Sequence, residues 1–245
     1  MSIWGKIIGG TAGFALGGPL GAIVGMMIGG SFDRSARKFS RSSQISQQQK
    51  QNVFALSIII LSAKIAKADG QVTKEEIHIF KEKFNIPSEE MLEVSKLFNE
   101  AKKSSFDFKR IADQVGNLFS DNKVLLEQVL NNLFYIAEAD GVTSTNEVEV
   151  LRSISQSFHF NETDFQRIFH SRLNNKESDP YKILGVTREE SDKNIRKKWI
   201  QLSKEHHPDY LIAKGLPKEF IQEANKELSS INLAYDKIKE IRDFN

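Results

Sequence analysis

Lys193-Asn194-Ile195-Arg196-Lys197-Lys198-Trp199-Ile200-Gln201-Leu202-Ser203-Lys204-Glu205-His206-His207-Pro208-Asp209 is the stretch whose reading decides the C-terminal fold. Ile195, Trp199, Leu202 and His206 recur as one stripe of a 3.6-residue period, so the segment predicts an amphipathic helix. Between Lys193 and Lys204 that helix carries Lys193, Arg196, Lys197, Lys198 and Lys204 and no acid. Pro208 cannot continue a helix and biases His207 away from the αR region, so the helix stops here. Downstream, Phe220, Ala224, Leu228, Ile231, Ala234 and Ile238 form a second apolar stripe. Two such helices joined by a short connection predict an antiparallel hairpin. His207, Pro208 and Asp209 then stand at its tip.

Flanking sequences extend the pattern. Asp179-Pro180-Tyr181-Lys182-Ile183-Leu184-Gly185-Val186 precedes the basic helix, and Ile231-Asn232-Leu233-Ala234-Tyr235 lies within the second stripe. With the His-Pro-Asp tripeptide between them, this segment resembles the J domain of the DnaJ (Hsp40) co-chaperones. The resemblance implies a binding activity rather than catalysis by this chain. J domains dock on the ATP-bound form of an Hsp70 (DnaK in bacteria) and accelerate its ATP hydrolysis. The resemblance gives the contact residues as His207, Pro208 and Asp209, with Lys193, Arg196, Lys197 and Lys198 on the basic helix. Asp209 offers one carboxylate to charge-assisted hydrogen bonds, and clustered cations raise the encounter rate in a salt-sensitive way. Where J domains often carry further cations, this chain has Ile200, Gln201 and Tyr210, and Glu205 thins the charge again. No Gly/Phe-rich linker follows, and a chain with zero cysteines has no Cys-x-x-Cys zinc module. A general substrate-delivering DnaJ is therefore not expected.

A length of 245 residues allows one or two globular units, and a net charge of +2 gives no reason to invoke nucleic acid. Lack of cysteine suits a reducing compartment. Of the 15 glycines, 10 fall within the first thirty residues. From Ile7 to Phe32 there is no charged residue, a length sufficient at about 1.5 Å per residue to cross a core of about 30 Å. Gly5, Gly9, Gly13, Gly17, Gly21, Gly25 and Gly29 lie along one slowly drifting helix face, a run of small-xxx-small motifs. Bare backbone on that face permits close helix–helix approach in lipid, so Gly9, Gly13, Gly17, Gly21 and Gly25 are the expected homodimer contacts. The segment is too long for a signal-peptide core and lacks the Gly-Lys-Ser/Thr ending of a phosphate loop. Gly17-Gly18-Pro19 leaves a short helical hairpin as the alternative to a single span.

Arg34, Arg37, Lys38 and Arg41 follow the span while only Lys6 precedes it, which sets the C-terminal part in the cytoplasm. Residues 1–6 are then a short periplasmic segment and 7–32 the lipid-embedded anchor of a bacterial inner-membrane protein. The Ser/Gln-rich part of 33–51 reads as a juxtamembrane linker.

Residues 52–174 read as helical and contain a repeat. Ile65-Ala66-Lys67-Ala68-Asp69-Gly70 returns as Ile136-Ala137-Glu138-Ala139-Asp140-Gly141, with Thr73/Ser144 and Glu76/Glu147 in register. Each copy predicts a helix ending at Asp-Gly and a next helix opened by a capping box. Phe54, Ile58, Leu61 and Ile65 should pack against Leu125, Val129, Leu133 and Ile136. The repeated turn resembles the TerB-like (tellurite-resistance B) helical domain. That resemblance offers Asp69, Glu76, Asp140 and Glu147 as metal candidates, while caps and turns explain the same four residues. The loops lack the EF-hand ligand pattern, and the reading taken is no metal and no cofactor.

The expectation is an all-α chain: anchor 7–32, TerB-like domain 52–174, linker 175–178 and J domain 179–245, the last able to fold alone. In this order the segments resemble the membrane-anchored DnaJ-like protein A (DjlA) family, which implies recruitment of DnaK to the inner membrane. Two other classes compete: a scaffold whose J-like domain does not stimulate Hsp70, and a metal-dependent protein, either a helical sensor or an enzyme using His206, His207 and Asp209. Adjacent helical histidines point to different faces, which disfavours the enzyme.

Overall fold

The structure, a computed structural model, describes residues 3–9, 20–21, 46–68, 81, 84, 86–105, 107–138, 144–172 and 178–243. Every regular element among them is helical. The chain divides into two compact units, Met1–Phe158 and His159–Asn245.

In the first unit, α1 (Ile3–Gly9), α3 (Met91–Lys103), α4 (Phe108–Leu118), α5 (Lys123–Ala137) and α6 (Thr145–Ser157) pack around α2 (Gln47–Ala68). Helix α2 is central because it is apolar on all sides, with Val53, Phe54, Leu56, Ile58, Ile59, Ile60, Leu61 and Ile65 buried. Its buried Ser57 and Ser62 hydroxyls donate to the carbonyls of Val53 and Ile58, each at 2.6 Å, which removes the cost of burying them. The expected pairing of α2 with α5 is present, although Ile136 is only half-buried. Helices α4 and α6 approach so closely that a Cβ on Gly116 would collide with the Ser157 carbonyl.

Lys64 reaches from α2 to the end of α3. Its ammonium donates to the Ser104 carbonyl at 2.9 Å and to the Ser104 hydroxyl at 2.6 Å. A cation there complements the negative end of a helix. Burial, reinforced by Lys67 and opposed by Asp107, pushes the Lys64 pKa down to about 8.

Residues 3–9 form α1, with Ile3, Trp4 and Ile7 buried. The Trp4 indole N–H donates to the Phe84 carbonyl at 3.1 Å, and the two rings lie 6.3 Å apart. The Leu20 amide donates to Gln114 Oε1 on α4 at 2.9 Å. No helix among the described residues is long and apolar enough to cross a membrane. Most of the expected span lies outside the described residues.

The second unit contains α7 (Glu162–Arg172), α8 (Pro180–Leu184), α9 (Asp192–Glu205), α10 (Pro208–Lys214), a 3-10 turn (Lys218–Phe220) and α11 (Ile221–Arg242). Asp179 caps α8 by accepting from the Tyr181 amide at 3.1 Å, and Pro180 occupies the first helical turn. Gly185 ends α8 at φ 65° beneath Arg167, where a Cβ would come within 3.1 Å of Cδ. The Asp-Pro-Tyr…Leu-Gly motif is thus a capped turn of helix with a left-handed exit. Tyr181, Leu184, Ile195, Leu202, Ile231, Tyr235 and Ile238 belong to one core between α8, α9 and α11.

The division between units falls at Phe158/His159, ahead of the polar link near 174–178, because α7 packs on α8 and α11. Arg172 faces Glu223 at 3.9 Å, and the Ser230 hydroxyl donates to the Ser171 carbonyl at 3.2 Å. Of the expected link 175–178, only Ser178 is among the described residues.

Candidate functional site

The two helices of the predicted hairpin, α9 and α11, pack together, and the tripeptide follows α9. Ser191 caps the start of α9 by accepting from the Asn194 amide, which fixes the helix phase. Ile195, Leu202 and His206 are buried and Trp199 packs against the core, as the stripe requires. On α11 the stripe differs at one position. Leu228 is half-buried, while Glu227 turns inward with its carboxylate 3.3 Å from Nδ1 of His206.

Polar contacts fix the register of the hairpin. The Trp199 indole N–H donates to Asn232 Oδ1 at 2.9 Å, and the Ser203 hydroxyl donates to the same oxygen at 3.3 Å. The Trp199 ring stacks on Tyr235 with centroids 4.2 Å apart. Asn232 and Tyr235 therefore hold α9 in register against α11. Their motif was visible in the sequence, but the spacing alone did not reveal that Asn232 serves two donors on the opposite helix.

Tight chain reversal does the rest. Helix α9 stops at Glu205, and His207 is extended at φ −66° and ψ 133°. Pro208 and Asp209 then open α10, so the tripeptide begins a short helix rather than an irregular tip. His207 Nδ1 accepts from the Asp209 amide at 3.2 Å, so Nε2 is the ring nitrogen left to donate to a partner. The side chains of His207 and Asp209 are 54% and 89% exposed. A carboxylate in the first turn of a helix is favoured there and keeps its lone pairs for a partner. His206 is 1% exposed, so the neighbouring histidines occupy opposite environments.

Lys193, Arg196, Lys197 and Lys204 are exposed on the side of α9 away from the core. Lys198 is half-buried and lies about 140° around the helix from Lys193. Glu205, the acid that thins this surface, accepts from Gln201 Nε2 at 3.0 Å. The site thus combines a cationic helix face with an exposed imidazole held by the Asp209 amide and an exposed Asp209 carboxylate 3.8 Å from it, an arrangement suited to recognition of an acidic surface that also presents donors.

The remaining candidates lie in the first unit. Glu147 is engaged in the expected capping box: its carboxylate accepts from the Ser144 amide at 2.8 Å, and its own amide donates to Ser144 Oγ at 3.2 Å. Asp69, Glu76 and Asp140 lie outside the described residues, as do Gly13, Gly17 and Gly25. Gly9 ends α1, and Gly21 is buried beside Leu20.

Three segments of the chain match known families, and the TerB match runs past the Phe158/His159 division into α7. Residues 1–50 match the co-chaperone DjlA transmembrane domain, residues 55–170 the tellurite resistance protein TerB family, and residues 179–242 the DnaJ domain. Relatives include the co-chaperone protein DjlA of Vibrio parahaemolyticus, 31% identical over 100% of both chains. That of Coxiella burnetii is 30% identical over 97% of each, and that of Photobacterium profundum 28% identical over 99% of this chain and 100% of its own. No solved structure matches the chain. With a DjlA-type transmembrane segment, a TerB domain and a J domain in that order, and full-length relatives of one kind, the chain belongs to the DjlA family of membrane co-chaperones.

Proposed function

We propose that this chain binds DnaK at the bacterial inner membrane and stimulates its ATP hydrolysis. The observation that carries the reading is the exposed pair His207/Asp209 at the start of α10, which follows directly on the cationic helix α9. Lys193, Arg196 and Lys197 steer the encounter with an acidic face of DnaK, a contribution made mostly to the association rate. Asp209 accepts charge-assisted hydrogen bonds and His207 donates one through Nε2, each worth roughly 1.5–3 kcal/mol once desolvated. The chemistry belongs to DnaK, and this chain supplies the contact that triggers it.

Residues 7–32 anchor the protein in lipid as a single span, with residues 1–6 periplasmic and the helical units cytoplasmic. The anchors pair through Gly9, Gly13, Gly17, Gly21 and Gly25, raising the local concentration of J domains rather than altering each one. The test is DnaK single-turnover ATP hydrolysis with the full chain in neutral detergent micelles. Stimulation by wild type, lost in His207→Gln and Asp209→Asn with helicity and melting unchanged, supports the reading. Equal stimulation by the variants removes the tripeptide from the mechanism, and a wild type without effect leaves a membrane scaffold.

A further inference from the structure

Ile200 is the anomaly of the cationic face. It is 52% exposed, one of few large apolar side chains so placed among the described residues. At about 100° per residue, it lies within about 60° of Lys193, Arg196, Lys197 and Lys204, and about 140–160° from the buried Ile195 and Leu202. The side chain therefore stands at the centre of the cationic stripe, directly away from the core. Nothing in the fold of α9 requires an apolar residue there, and a fifth cation would extend the stripe.

We propose that Ile200 is an apolar anchor at the centre of the DnaK-contacting face, seated in an apolar recess of that partner rimmed by carboxylates. This rests on the J-domain reading above. The arrangement is that of an interface hot spot, one desolvated apolar contact ringed by polar pairs that exclude water. Charge decides the occupant. Another copy of the same face would set Lys193, Arg196, Lys197 and Lys204 against their own kind, whereas an acidic rim pairs with all four. A lipid surface needs more apolar area than one isoleucine, since interfacial binding scales with the area buried. The physical consequence is a division of labour. The cations govern how fast the complex forms and are screened by salt, while the Ile200 contact is not screened and governs how long it lasts.

The test compares full-length wild type, Ile200→Ala, Ile200→Lys and Leu233→Ala in neutral detergent micelles, reading the concentration for half-maximal stimulation of DnaK at low and high salt. Leu233 is the control, an exposed apolar residue on α11. The expected result is a rise of about tenfold for Ile200→Ala, equivalent to about 1.4 kcal/mol, with an unchanged salt slope. Ile200→Lys should weaken half-effect as well and steepen the slope, and Leu233→Ala should match wild type. Half-effect unchanged by Ile200→Ala, or improved by Ile200→Lys, overturns the anchor and leaves the J-domain reading intact. An equal loss from Leu233→Ala also overturns it, because the effect is then not specific to α9. A loss seen only after anionic lipid is added assigns Ile200 to the membrane and likewise overturns it. A wild type that fails to stimulate DnaK overturns the J-domain reading, and the anchor with it.

Discussion

The indole of Trp199 lies 4.2 Å from the Tyr235 ring with the planes 4° from parallel, and this stack ties α9 to α11 about two helical turns before the chain turns into His-Pro-Asp. Asn232 adds a hydrogen bond to the same indole, so ring and amide fix both the rotation and the height of α9. Tyr235→Leu keeps the apolar contact but loses the stack, a cost of about 1 kcal/mol. For a unit of this size the melting temperature should fall by about 4–8 °C. Stimulation of DnaK should fall with it at temperatures where the unit is still folded, because the tripeptide is no longer held at a fixed height. Unaltered stimulation by folded Tyr235→Leu would show that the stack stabilises without positioning.

Helix α7 belongs with the C-terminal unit, and fragments should show it. Residues 159–245 retain Phe165, Ile168 and Arg167 on the unit together with the Arg172–Glu223 pair, whereas 178–245 begins after them. Burying two apolar side chains is worth about 1.5–3 kcal/mol each. The longer fragment should therefore melt several degrees higher, while both stimulate DnaK in solution and lose potency at raised salt. If the shorter fragment folds but is inert, α7 contributes to the contact itself.

Much of the second unit was legible because its signals are local. The stripe Ile195/Trp199/Leu202/His206 and the break at Pro208 depend only on helix period and proline geometry, and each appears where the spacing put it. The capping box Ser144/Glu147 was legible for the same reason. What periodicity missed involves long-range pairs. Glu227 replaces Leu228 on the buried side because an imidazole from another helix meets its carboxylate, and a stripe count has no term for that. Helix α7 lies almost wholly within the TerB match at residues 55–170, and nothing in its own sequence says that it also packs on α8 and α11. Ile200 was readable as a departure from a basic pattern, and the period of the stripe already turns it away from Ile195 and Leu202; the structure adds its 52% exposure.

Lys64 gives the first unit a pH dependence with a definite sign. Its folded pKa is about 8 against an ordinary 10.5, so between these values the unfolded chain holds more protons than the folded one. Stability should therefore rise with pH from about 8 to 10.5, and the cost of the buried cation is fully present below that window. The urea midpoint of a 40–245 fragment, taken across the window, should rise more steeply for wild type than for Lys64→Met. Parallel curves would show that Lys64 carries no such penalty.

Glycine costs helix stability, roughly 1 kcal/mol per site relative to alanine in water, so a long series at fixed spacing points to a packing role. Replacing Gly13, Gly17 and Gly21 together by Leu should weaken self-association in a membrane two-hybrid assay, because bulky side chains hold the two backbones apart. Expression and membrane fractionation should be unchanged. A signal equal to wild type would turn the glycine face toward lipid or into a hairpin.

Trp4 and Phe84 bring the last prediction. Their contact sets α1 on the Met1–Phe158 unit, while a span through 7–32 carries residues 1–6 to the opposite side of the membrane. One chain cannot do both at once, since Ile3, Trp4 and Ile7 would have to leave the helical unit before the span forms. Arg34, Arg37, Lys38 and Arg41 oppose transfer of everything that follows them, so insertion should win in cells. The chain has no cysteine, which makes Ser2→Cys a unique label site. A membrane-impermeant maleimide added to intact spheroplasts should label it, and a cysteine placed at Ser42 should react only after lysis. Protection of Ser2→Cys until lysis would put α1 on the cytoplasmic face, docked as it is against Phe84, and would leave the glycine segment as a hairpin that enters and leaves on one side.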